Sequence, residues 1–197
     1  MSEQGVEQEV EVAAAGDLVD FAADCARDAQ MYLDTITEVA SGSAPEAAIP
    51  MTLLALSQVL SMGTRLGAMQ DIVPPDQFET DPGPDTELGP LRDGVANLFE
   101  GLDDYADLVD PVTSAEVTSG RLSDDLTEIA SGLMHGLSHY REGRAVEALW
   151  WWQFSYLSGW GERAAMSLRV LHSILAHIRL DADEELVSEA EFDALHP

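Results

Sequence analysis

All four tryptophans of this 197-residue chain, Trp150, Trp151, Trp152 and Trp160, fall within eleven positions. Consecutive residues on an α-helix point about 100° apart, so no single core-facing stripe accommodates three neighbouring indoles. A helix carrying them is either buried on most of its sides or shows an aromatic ring to the outside. Its residues divide into three faces. Leu149, Trp152, Tyr156 and Trp160 form one, and Trp150, Phe154 and Leu157 form a second; together they make a broad apolar surface. Trp151 stands on the third with Ala148, Ser155 and Ser158, small residues that let another backbone approach with Trp151 as a peg. The expectation is a tryptophan-rich central helix, with Trp151 as a core peg or as the anchor of an interface.

The rest of the chain is patterned for helices around it. From Asp17 the positions Leu18, Phe21, Ala22, Cys25, Ala29, Tyr32, Ile36 and Val39 follow the 3.6-residue rhythm, and Gly42 is a natural stop. Ser43 and Glu46 read as a capping box, and Pro50 either kinks the next helix or opens one in its first turn. Met51 to Met69 is apolar on nearly all sides, which predicts a central helix. Residues 71–90 hold five of the nine prolines and read as a long acidic loop. A third helix is expected over Leu88, Leu91, Val95, Leu98, Leu102, Tyr105 and Val109, followed by a polar loop from Thr113 to Gly120. Ser123-Asp124-Asp125 offers an N-cap for a fourth helix with Leu122, Leu126, Ile129, Leu133, Leu137 and Tyr140 inward. The aromatic helix should break near Ser158-Gly159 or Gly161, and a sixth run from Glu162 to Leu180. No strand-like alternation stands out. The fold class is therefore all-α, a single-domain bundle of five to seven helices over residues 17–180. Residues 1–16 read as a flexible acidic N-terminus. Residues 181–197, with seven acids and no base, read as an acidic tail with one turn of helix at Ser188 to Leu195.

Charge limits the partners. There are 37 acidic residues against nine basic ones, every one of them arginine, for a net charge of -28. Such a surface repels nucleic-acid phosphates and anionic membranes, so the expected partner is a basic protein, without direct nucleic-acid or membrane binding. Cys25 is the single cysteine; no internal disulfide forms, and its apolar neighbours suit a buried thiol. Ala47 to Thr64 carries no charge for 18 residues, but Pro50, Thr52, Ser57, Gln58, Ser61 and Gly63 dilute it below a membrane span. No signal-peptide pattern opens the chain, and a cytoplasmic location is expected.

Three constellations could carry chemistry. Residues 141–179 hold five of the nine arginines against three acids, a place for an anionic ligand unless those arginines pair with the chain's own carboxylates. His135 and His139, four apart with Glu128 on the same stripe, have helical metal-ligand spacing, although no Glu lies between the histidines and the stripe lies opposite the apolar face. A small-ligand pocket could be lined by Trp152, Tyr156, Trp160, Arg169 and His172, the last of these a candidate buried histidine. The carboxylate pairs Glu100/Asp103, Asp104/Asp107 and Asp125/Glu128 recur at i, i+3, as chance allows in so acidic a chain. No phosphate loop, nucleophile elbow or dinucleotide fingerprint is present, and no cofactor is implied.

Several strings nonetheless belong together: Ala47-Ala48-Ile49-Pro50, Asp71-Ile72-Val73-Pro74, Ser123-Asp124-Asp125-Leu126, Gly136 to Tyr140, Ala148 to Ser158 with Trp160-Gly161, and Leu168 to His172. In these the chain resembles the bacterial domain-of-unknown-function family numbered 5063, in its actinobacterial form, from about Asp17 to Leu180. The resemblance implies a helical fold and a cytosolic bacterial protein, and brings no catalytic residues. The leading expectation is a non-enzymatic protein-interaction module with an acidic surface. The alternatives are a metal-dependent hydrolase using Glu128, His135 and His139 or the helical carboxylates, and a small-ligand binder at the tryptophan helix.

Overall fold

A computed structural model describes residues 3–74, 88–109 and 112–195, with residues 3–15 and 181–195 described by backbone alone. Helix α1 spans Glu3–Ala40. Its stripe of Ala22, Cys25, Ala29, Tyr32, Ile36 and Val39 is buried as the periodicity demands. Burial pushes the Cys25 thiol up to about 12, so it stays protonated and packs as a small apolar group. Gly42 ends the helix at φ +68°, donating its N–H to the Val39 carbonyl at 3.0 Å. The expected capping box does not form. Ser43 donates instead to the Glu38 carboxylate, and Ala44 caps a single 3₁₀ turn, Pro45–Ala47, with no side-chain bond.

Helix α2, Ala48–Gly67, carries Pro50 in its first turn, where no intrahelical N–H is lost. By length and composition the segment Pro45–Gly67 could cross a membrane. It is not the central helix anticipated: Thr52, Ala55, Leu56, Val59, Met62 and Leu66 face the core, while Leu54, Ser57, Gln58, Ser61 and Arg65 are exposed. The proline-rich residues 75–87 lie outside the described residues.

Helix α3 is shorter than its sequence stripe implies, spanning Gly89–Leu98. The chain turns through Gly101, at φ +82°, and forms an antiparallel hairpin of β1, Asp104–Leu108, and β2, Val117–Arg121. Its register runs from Asp104↔Arg121 to Leu108↔Val117. Leu102 and Val109, counted on the helical stripe, are exposed. The period-2 signal is missing because the hairpin buries little apolar surface, so nothing selects alternating apolar residues.

Helix α4, Leu122–Arg141, is the element the core is built around, packing on α1, α3, α5 and α6. Ser123 is not its N-cap; Arg121 holds that position without a side-chain bond. Asp103 caps the helix from outside. Its carboxylate accepts the Ser123 N–H at 2.7 Å, the Ser123 hydroxyl at 2.8 Å and the Arg121 guanidinium at 2.9 Å. The last segment is nearly continuous: α5, Ala145–Ser155, a π-helical turn, Tyr156–Trp160, and α6, Gly161–Leu195. The acidic C-terminal residues therefore continue the helix to Leu195 rather than contributing one turn, and the backbone of residues 3–16 is likewise helical.

Candidate functional site on the tryptophan helix

The π turn explains how the tryptophans are shared out. Trp152 and Trp160 are eight apart, which on an unbroken α-helix leaves them about 80° out of phase; the extra residue of a π turn removes about 100° and returns them to one face. Both are then fully buried. The sequence places the break correctly but as a stop, whereas the helix is rewound. Gly161 is required there, since a Cβ would overlap the Tyr156 carbonyl and ring.

Rings from α5 and the π turn settle on glycines of their neighbours. A side chain on Gly136 of α4 would overlap the Trp152 indole, and one on Gly63 of α2 would overlap Tyr156. Each buried indole N–H is satisfied: Trp152 donates to the Leu133 carbonyl at 3.1 Å and Trp160 to the Ser155 hydroxyl at 3.0 Å. Trp151 is the peg, half-buried, donating to the Gly132 carbonyl at 3.0 Å with its ring 3.9 Å from that of His135. Beside it on α5, the small Ser155 faces Gly132 of α4.

The second face is left outside. Phe154 is 51% exposed, Leu157 63% and Val73 71%. Trp150 stacks on Phe154, with ring centroids 5.7 Å apart and planes 12° from parallel. With Asp71, Ile72 and Gln153 these side chains line an apolar notch of about 320 Å³. Gln153 fixes its far wall. Its amide donates to the carbonyls of Leu66 at 2.9 Å and Gln70 at 3.3 Å, and accepts the Ile72 N–H at 2.8 Å. The notch is thus a rigid concave surface with one acidic rim residue, suited to receiving a large apolar side chain.

The other candidate residues are dispersed. Trp152, Tyr156 and Trp160 fill the α2–α4–α5 junction, while Arg169 and His172 are both exposed on α6, so these five do not enclose a pocket. His172 is not the buried histidine considered. The His135/His139 stripe is not solvent-facing either: His139 is 3% exposed and His135 half-buried, with their rings edge to face at 5.1 Å. Glu128 is turned to Arg163, at 3.4 Å, and among the described residues no three His, Cys, Asp or Glu side chains converge as metal ligands. Several arginines meet the chain's own acids, as the surplus of carboxylate favours: Arg144 with Glu142, and Arg163 with Glu128 and Asp125.

One polar cluster escapes a reading by sequence. Asp125, 2% exposed in the first turn of α4, accepts a hydrogen bond from the Tyr105 hydroxyl and lies 3.5 Å from Arg163. Burial, opposed by Tyr105 and Arg163, pushes its carboxyl up to about 6. Tyr105 is raised as well, first by burial and then by its bond to Asp125. The Asp125/Glu128 spacing is visible in the sequence, but Tyr105 fits the stripe of a helix that does not reach it.

A solved structure with the same architecture is protein BF1032 from Bacteroides fragilis, a structural genomics target. It aligns with a TM-score of 0.56 and 16% identity, over 80% of this chain and 89% of that one. At that identity the likeness concerns the fold. No curated protein matches the chain. The tryptophan segment and most of the helical bundle lie within residues 17–177, which match the model of a domain of unknown function, DUF5063, and to that family the chain belongs.

Proposed function

We propose that this chain is a non-enzymatic protein-interaction module that receives a basic partner at the Trp150/Phe154/Leu157 notch. The exposed aromatic notch in a molecule of net charge -28 carries this reading. Large apolar side chains clustered on a rigid surface are the usual anchors of interfaces, and a strongly acidic surround draws basic partners and repels acidic ones. Asp71 on the rim supplies a local charge for a flanking Arg or Lys.

A photo-crosslinking residue at Phe154, with one at exposed Leu54 as control, tests the reading in cell extract. Capture of a basic protein from position 154 but not 54, weakened by added salt and abolished by Leu157→Gln, is the expected result. Equal capture at both positions, or capture indifferent to Leu157→Gln, overturns it.

A further inference from the structure

The β1–β2 hairpin is fastened to the bundle at two places. At its base, the Asp103 carboxylate caps α4 and the Asp103 carbonyl accepts the Leu122 N–H at 2.9 Å. Further out, Tyr105 crosses β2 over Gly120, where any side chain would overlap its ring, and its hydroxyl reaches Asp125. Closing the hairpin therefore places a carboxyl out of reach of water.

The groups that face Asp125 come from every element around it. From β1 there are Tyr105 and Asp107; from α6, Arg163; from α4 itself, Glu128; from α1, Tyr32, whose hydroxyl donates to the Leu126 carbonyl at 3.0 Å instead. Arg163 is shared with Glu128 and is 42% exposed, so water screens it. An ionised Asp125 would thus hold one hydroxyl donor and part of a screened guanidinium, beside two like charges. A neutral carboxyl in the same place needs no counter-ion.

We propose that the hairpin is a proton-linked flap, closed over Asp125 when that carboxyl is protonated and lifted from Tyr105 outward when it ionises, with the Asp103 cap as hinge. The linkage sign follows. In the open state Asp125 stands in water and titrates in the usual carboxylate range; in the closed state it holds its proton up to about pH 6. Acid therefore favours closure. Lifting would bare Asp125 at the N-terminal end of α4, beside Glu128 and Arg163, which are already partly exposed.

Amide hydrogen exchange on the whole chain, corrected for intrinsic rates, reads this directly. Protection of β1 and β2 relative to the core of α4 should be about tenfold greater at pH 5 than at pH 7.5, from the population linked to one proton. In Asp125→Asn, which keeps a neutral acceptor for Tyr105, the hairpin should be equally protected at both pH values. Tyr105→Phe should lower hairpin protection at pH 5 while leaving α4 unchanged. Hairpin protection in the unmodified protein that does not depend on pH, or a dependence that survives in Asp125→Asn, overturns the proposal.

Discussion

Along its middle, α4 receives the tryptophan helix through rings set on glycines; at its first turn it receives the hairpin through carboxylates and hydroxyls. The first junction is mainly apolar at Trp152. Trp152 fills the space that a side chain on Gly136 would occupy and its only polar atom is satisfied by a helix carbonyl. The second buries Asp103 and Asp125, each 5% exposed or less, against one shared and one exposed arginine. Apolar contact carries no titrating charge, whereas buried carboxylates couple their surroundings to pH and are screened by salt. One helix thus anchors a permanent seam and a conditional one.

The largest effect that can break this contrast is at the apolar seam. Trp152→Ala removes a fully buried indole and leaves a cavity that backbone-to-ring packing cannot close, costing about 3–5 kcal/mol. Urea denaturation followed by far-UV circular dichroism should give the same loss at pH 5 and pH 7.5. A loss that changes with pH would mean that the seam is coupled to titrating groups after all, to the carboxylates or to the His135 and His139 rings beside Trp151.

Much of this was legible in the residues, and the misses have physical causes. The α1 stripe, the α4 core face and the buried row Leu149, Trp152, Trp160 came from periodicity, because each buries a continuous apolar surface. Which helix was central did not. Hydrophobicity pointed to α2 and α5, but α4 earns its place through Gly132, Gly136 and alanine, residues that admit neighbours and score poorly as apolar. The hairpin was invisible because Tyr105, Leu102 and Val109 fit a helical spacing by coincidence, while its anchors, Asp103 and Asp125, are two acids among 37. Helical spacing separates the tryptophan faces, yet the exposed one is that of Trp150, Phe154 and Leu157, not that of Trp151. Which face a helix turns outward depends on partners hundreds of atoms away in the chain, and local pattern carries no record of that.

A middle-sized effect sharpens the comparison at the polar seam. With the hairpin closed Asp125 titrates at about 6, against near 3.8 when unfolded, so the closed fold binds the proton more tightly. Its contribution to stability is full below the lower value, declines as pH rises between the two, and is gone above about 6. Asp125→Asn should abolish that decline, making the variant more stable than the parent at pH 7 by on the order of 1–2 kcal/mol, and no more stable at pH 4. Denaturation at the two pH values checks it; the difference between the two proteins isolates this group from the other acids.

The smallest effect lies outside both seams. Phe154 occupies the same helix as Trp152, two residues on, but is half exposed and touches Trp150 and the notch rather than α4. Phe154→Ser should change stability by less than about 0.5 kcal/mol, against several for Trp152→Ala. Because the stacked Trp150 loses its neighbour, tryptophan emission should nevertheless shift, which shows that the substitution has reached the notch. If stability instead falls by as much as at Trp152, the outer ring belongs to the core and the notch is no surface for a partner. If stability holds while binding at the notch is lost, one turn of helix serves two ends: its inner rings keep α4 in place, and its outer rings form a surface that another molecule reads.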